Sequence, residues 1–189
     1  MSQEIEIEFK NLLNQKEFEQ LCHHFNVKQA DFKIQHNHYF DTTDFMLKNN
    51  KCALRIREKE NTRTLTLKQP HPDGLLETHQ TLTEQETANV KACSHFPEGE
   101  VIDALHKMKI PVRSLNLLGT LSTERAETPY RNGLIVLDHS YYSGTEDYEL
   151  EYESPDKNSG EQIFHDLLGS LGIPKRETEN KIRRFFRKK

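Results

Sequence analysis

Near the start of the chain, three glutamates and a lysine fall on alternate residues: Glu4, Glu6, Glu8 and Lys10. Side chains at i and i+2 of an extended chain share a face, so this segment is a strand with one charged face, and Ile5, Ile7 and Phe9 form the other. The pattern returns late in the chain, where Glu149, Glu151 and Glu153 alternate with Tyr148, Leu150 and Tyr152. Between these acidic strands the same alternation carries bases. Arg55 and Arg57 lie opposite Leu54 and Ile56; Thr64, Thr66 and Lys68 lie opposite Leu65 and Leu67; Arg125 sits in a strand-like segment from Thr120 to Thr128. Carboxylates at successive i+2 positions are only roughly 7 Å apart, and like charges at that range cost free energy unless a cation neutralises them. Carboxylate oxygens suit Mg²⁺ or Mn²⁺, which commonly bridge protein carboxylates to phosphates. Arg and Lys at fixed positions on rigid strands suit phosphoryl oxygens.

Two architectures account for these rows. One is a sheet with its apolar face on a core and its charged face in water. The other is a closed barrel whose charged faces line the lumen while the apolar faces point outward beneath helices. The segregation of sign, with acids on the first and last strands and bases on the middle ones, weakens the first, since a solvated face mixes Lys with Glu, and pattern alone leaves both architectures open.

The elements that must position these residues follow from periodicity and punctuation. Strands are expected over Glu4–Lys10, Gln35–Asp41, Ala53–Glu58, Arg63–Gln69, Leu75–Leu82, Leu115–Thr128, Leu134–Tyr142 and Asp147–Glu153, eight in all. Turn chemistry joins several of them at Glu60-Asn61-Thr62, Pro70-His71-Pro72-Asp73-Gly74, Arg131-Asn132-Gly133 and Ser143-Gly144-Thr145. Helices are expected over Asn14–Phe25, with Asn14 as N-cap, over Thr83 to about Ser94 behind the capping box Thr83-Glu84-Gln85-Glu86, over about Glu100–Lys109, over about Ser159–Leu171 stopped by Gly172 and Pro174, and in the tail over Glu179–Lys188. Helices in groups, without βαβ alternation, argue against a Rossmann sheet and for an α+β fold built on an antiparallel barrel or sandwich with peripheral helices. No repeat or composition break divides the chain, so a single domain over 1–189 is expected.

Composition removes several function classes. A formal net charge of −4 over 189 residues gives no basic field for nucleic acid or an anionic membrane. Cys22, Cys52 and Cys93 form no CxxC pair and read as reduced cytosolic thiols. The acidic N-terminus lacks a signal-peptide apolar region, and the aliphatic run Leu134–Leu137 is too short to span a membrane, so a cytoplasmic protein is expected. No zinc spacing, P-loop or GxSxG elbow is present. His36-Asn37-His38 lies in an alternating strand without the context of a nuclease site, and Asp41-Thr42-Thr43-Asp44 reads as a turn, since it lacks the Gly and Glu of a calcium loop.

Glu6-Ile7-Glu8-Phe9-Lys10 fits the ExExK signature of the CYTH superfamily, the triphosphate tunnel metalloenzymes. The ordered set that follows resembles the same family: Tyr39-Phe40-Asp41-Thr42, Leu54-Arg55-Ile56-Arg57, Leu65-Thr66-Leu67-Lys68, Arg125, Leu137-Asp138, Tyr148-Glu149-Leu150-Glu151 and the basic tail Lys181-Ile182-Arg183-Arg184-Phe185. The likeness implies an eight-stranded antiparallel β-barrel tunnel with a charged lumen and peripheral helices. It implies metal binding by Glu6, Glu8, Glu149 and Glu151, with Lys10 joining them in catalysis. It further implies triphosphate contacts from Lys10, Arg55, Arg57, Lys68 and Arg125, with Lys181 and Arg184 at the tunnel mouth or else on a solvated helix. Glu77 and Asp138 stand where the family often carries an acid, and Glu4 is an outer-shell or solvated residue. The implied activity is Mg²⁺- or Mn²⁺-dependent hydrolysis of a small-molecule triphosphate (tripolyphosphate, a nucleoside triphosphate or thiamine triphosphate) by a monomer or homodimer. Cyclisation of ATP to cyclic AMP and non-catalytic binding of nucleotide or polyphosphate are the alternatives.

Overall fold

Strict alternation makes strands here because the central strands of each unit bury their apolar set under helices on one side only. The computed structural model describes residues 3–187, with side chains through residue 184. It contains two units, Met1–Ile5 with Gln35–Leu121, and Glu6–Ile34 with Ser122–Lys189.

In the first unit, β1 (Gln3–Glu6), β3 (Lys33–Thr42), β4 (Ala53–Lys59), β5 (Thr62–His71) and β6 (Gly74–Thr81) run in the order β1-β6-β5-β4-β3, followed by β7 (Leu115–Tyr130). The β3–β4, β4–β5 and β5–β6 pairs are antiparallel, with Arg55 opposite Tyr39 and Thr66, Arg57 opposite Asn37 and Thr64, and Lys68 opposite Ala53 and Glu77. One face of these strands is apolar. Leu54, Ile56, Leu65 and Leu67 are fully buried with Val90 of α3 (Glu84–Lys91) and Val101 and Leu105 of α4 (Glu100–Lys107). This is the outward-facing apolar set expected from sequence. Thr83 caps α3 through the reciprocal bonds of a capping box with Glu86. A four-residue helix, α2 (Met46–Asn49), was not expected. It forms because the Asp41 carboxylate accepts from the backbone N–H groups of Thr42, Leu47 and Lys48, and Thr42 Oγ1 accepts from Met46 N. The turn-like Asp41–Asp44 cluster is therefore a helix cap.

In the second unit the order is β7-β8-β9-β2, with β2 at Glu8–Leu13, β8 at Gly133–Tyr142 and β9 at Thr145–Glu153. Its apolar face carries Ile135, Leu137, Leu150 and Tyr152, buried beneath Phe18 and Leu21 of α1 (Gln15–His24) and Phe164, Leu167 and Leu168 of α5 (Lys157–Ser170). Gly160 is required where α5 meets β2, since a Cβ there would lie 2.6 Å from the Phe9 ring and the Ser154 side chain. The tail forms α6 (Lys181–Arg187); the expected end at Lys188 lies outside the described residues.

Among the described residues the strand count is nine, one more than expected, because Glu4–Lys10 is not one strand. Ile7 interrupts it, its carbonyl accepting from Ser154 N, and the halves take different partners: β1 neighbours β6, and β2 neighbours β9. Ile5, expected beneath a helix, is 47% exposed, because among the described residues β1 has no helix over its apolar side in either cluster.

Candidate functional site

In the second unit, register brings the charged face together. Arg125 pairs with Asp138, Asp138 with Glu149, Val136 with Glu151, and Lys10 with Glu151. Paired residues on neighbouring strands project to the same side, so Lys10, Arg125, Asp138, Glu149 and Glu151 share one face. The Arg125 guanidinium donates to both oxygens of Asp138 at 2.7 and 2.6 Å and to Glu151 at 2.8 Å. Lys181, on α6, places its ammonium among three carboxylates, 2.7 Å from Asp138, 2.6 Å from Glu149 and 2.5 Å from Glu151. Arg184 lies one helical turn further on and reaches Glu149 at 2.5 Å and Asp147 at 3.0 Å. Glu8 and Lys10 form an ion pair with each other. They also border a cavity of about 210 Å³ whose other walls are Phe9 and the α5 residues Glu161, Phe164, His165 and Leu168, with Lys175, on the helix-covered side of β2.

Burial sets the electrostatics. Asp138 and Glu149 are fully buried and Glu151 is 5% exposed. Burial works to raise all three carboxyls. At Asp138 the Arg125 and Lys181 charges overcome it and hold the group below its ordinary value; at Glu151 Lys181 and Arg125 hold it well below. At Glu149 burial, aided by the Glu151 charge, wins over Lys181 and pushes the carboxyl up to about 7. Glu153 is likewise raised to about 7, by burial against the pull of Arg125 and with help from Glu6, Glu151 and Glu127. The donor set fits a divalent ion. Three hard carboxylate oxygens converge on one cationic point, with no thiolate or imidazole among them, which is the chemistry of Mg²⁺ or Mn²⁺.

In the first unit the charged face carries Arg55, Arg57 and Lys68. Arg57 Nε donates to Asn37 Oδ1 at 3.0 Å, and Lys68 is ion-paired with the buried Glu77. Glu4, Glu77 and His79 come together at this face, their ligand atoms within 4.8 Å of one another. Of the residues singled out from sequence, Lys10, Arg125, Asp138, Glu149, Glu151, Lys181 and Arg184 form one network in the second unit, where Glu6 lies close enough to act on Glu153. Arg55, Arg57, Lys68, Glu77 and Glu4 belong to the first. Sequence reasoning missed Asp147 and His79. Asp147 opens the same acidic alternation as Glu149, so a longer reading of that row would have included it; nothing in the local sequence marks His79.

Charged faces backed by apolar faces under helices, on an antiparallel sheet, are the arrangement that the resemblance to the CYTH class implies. The chain belongs to the CYTH domain family, whose model matches residues 4–186. Over its whole length it is 50% identical to a candidate triphosphatase, YjbK of Bacillus subtilis, covering 98% of that protein. A crystal structure of a candidate adenylate cyclase from Bacillus halodurans matches with a TM-score of 0.96 and 50% identity, covering 98% of this chain and 100% of that one. A plant protein from Hippeastrum, described as a candidate adenylyl cyclase with dominant triphosphatase activity, shares the fold with a TM-score of 0.81 over 97% of this chain and 96% of that one, at 22% identity.

Proposed function

We propose that this chain is a divalent-cation-dependent triphosphatase acting on a small-molecule triphosphate. The observation that carries this is the convergence of Asp138, Glu149 and Glu151 on a single cationic point at 2.5 to 2.7 Å; the naming of the Bacillus subtilis relative as a candidate triphosphatase supports it. Asp138, Glu149 and Glu151, with Glu6 and Glu8 of the ExExK signature, would hold Mg²⁺ or Mn²⁺. Such an ion, when bound, supplies positive charge to phosphoryl oxygens and lowers the pKa of water. Arg125 keeps Asp138 and Glu151 ionised and oriented. Lys10, Arg55, Arg57 and Lys68 bind and align the phosphates, which is most of what phosphoryl transfer asks of a protein. The free thiols of Cys22, Cys52 and Cys93 fit a reducing compartment, and we place the activity in the cytoplasm. Among the described residues no helix is long and apolar enough to cross a membrane.

The test is incubation of the full chain with tripolyphosphate, ATP or thiamine triphosphate and Mg²⁺ or Mn²⁺. Release of orthophosphate is expected. Cyclic AMP as the main product from ATP, or binding of all three compounds without turnover, would overturn the proposal.

A further inference from the structure

A second cluster of ligand atoms lies in the first unit, apart from the carboxylate trio, and its chemistry is different. His79 Nε2 is 3.1 Å from Glu4 Oε1 and 3.4 Å from Glu77 Oε2. An ion bound at about 2.1 Å by imidazole nitrogen and carboxylate oxygen sets neighbouring ligand atoms about 3.0 Å apart in an octahedron and about 3.4 Å apart in a tetrahedron. The two separations fall in that range without any rearrangement of side chains. The other ring nitrogen, Nδ1, is 3.0 Å from Thr66 Oγ1, and Thr66 is only 3% exposed. In one tautomer Nε2–H donates to Glu4 at 3.1 Å and the Thr66 hydroxyl donates to Nδ1; in the other Nδ1–H donates to Thr66 and the Nε2 lone pair faces two carboxylate oxygens, ready to bind a cation that enters between them. A partner on the non-ligating nitrogen is also what orients a metal-bound histidine and raises its basicity.

The carboxylates are held in place independently. Glu77 gives its Oε1 to Lys68, which leaves Oε2 directed at His79. Glu4 is carried by β1, and the neighbouring Gln3 Nε2 donates to Thr78 Oγ1 of β6 at 3.0 Å. The Glu4 side chain is 69% exposed while Glu77 is 5% exposed, so the cluster has a buried wall and an open side through which an ion can enter.

We propose that Glu4, Glu77 and His79 form a second cation site with one nitrogen and two oxygen ligands, selective for Zn²⁺ or Co²⁺ over Mg²⁺. Imidazole is a good ligand for later first-row metals and Zn²⁺ and a poor one for Mg²⁺, which prefers oxygen and water. The selectivity separates this site from the all-carboxylate set in the second unit, and the proposal stands whether or not the chain is a triphosphatase.

The test is calorimetric titration of the full chain with Zn²⁺ at neutral pH in a large excess of Mg²⁺, with Co²⁺ as a visible-absorbance probe. One Zn²⁺ should bind despite the Mg²⁺, and Co²⁺ should give ligand-field bands typical of mixed nitrogen and oxygen coordination. His79→Gln should weaken Zn²⁺ binding tenfold or more and remove the bands. Glu4→Gln, at an exposed position that cannot compromise folding, should weaken binding measurably. Thr66→Val should cost roughly tenfold, the usual scale for losing the partner of a ligating histidine. Absence of a Mg²⁺-resistant Zn²⁺ site in the unaltered chain would overturn the proposal, as would unchanged Zn²⁺ affinity in both His79→Gln and Glu4→Gln.

Discussion

His38 shows how a residue from a misleading motif acquires a definite role. It stands in His36-Asn37-His38, yet the structure buries it at 6% exposure, between Thr120 Oγ1 and Glu58 Oε1, each at 2.8 Å. Glu58 also accepts from Lys91 at 2.8 Å. The arrangement suits a neutral ring, with Nε2–H donating to Glu58 and Nδ1 accepting from Thr120. Burial, reinforced by the Lys91 charge, lowers the His38 pKa against the pull of Glu58. The unfolded chain therefore binds the proton more readily than the folded one. Stability from this group is present above the unfolded value of about 6.5 and is lost as pH falls from there through the lower folded value. Urea titrations at pH 7.5 and 5.5 should show a larger loss of unfolding free energy in the wild type than in His38→Gln, and equal losses would refute this reading. A larger effect belongs to Arg125. Removing it by Arg125→Met takes both guanidinium hydrogen bonds from buried Asp138 and one from buried Glu151, and should cost about 3–5 kcal/mol by the same titration. Much at this scale was legible: residue type and alternate spacing alone single out Arg125, Glu149 and Glu151. What was not legible depends on register. Asp138 looks like a lone acid after Leu137, and only the pairing of β8 with both β7 and β9 sets it between Arg125 and Glu149.

At the scale of elements, α6 is the informative one. Its sequence, a basic tail, is equally compatible with a solvated helix, because local composition does not say what a helix end meets. The structure directs Lys181 and Arg184 at buried carboxylates. Lys181 then occupies the coordination space of the same three oxygens the proposed divalent ion would need, so the two cations would compete. Lys181→Met should lower the melting temperature in EDTA, since three buried carboxylates lose a counter-charge, and should raise Mn²⁺ affinity by tenfold or more in a calorimetric titration. Mn²⁺ affinity equal to or weaker than that of the wild type would show that the ammonium is not a competitor. The ends of elements were the other illegible feature. The break at Ile7 follows from a change of strand partner, which an uninterrupted Glu/Ile alternation cannot reveal, and α2 follows from a carboxylate cap that reads locally as a turn.

For the molecule as a whole, the charge fraction of 30% with a net charge of only −4 is explained by where the charge goes. Each unit turns an apolar face toward its own helices and a charged face away from them, so the alternation read from sequence is the alternation of the folded strands. The acidic and basic sets should therefore fail differently when altered. Glu151→Gln preserves shape but removes one of the three converging carboxylates, and should reduce triphosphate turnover roughly 10²-fold or more, the scale of losing a major electrostatic stabiliser, with a steeper dependence on Mn²⁺ concentration. If Arg57 binds phosphate as proposed, Arg57→Ala removes a contact made in both ground and transition states. It should raise KM and lower kcat/KM with little change in Mn²⁺ dependence, and Arg57→Lys should restore only part of the loss, because an ammonium cannot reproduce the guanidinium fork. EDTA should abolish phosphate release from every one of these proteins, and Mg²⁺ or Mn²⁺ should return it. Full activity in excess EDTA would separate the carboxylate trio from catalysis, and near wild-type kinetics in both Glu151→Gln and Arg57→Ala would place the chemistry on other residues.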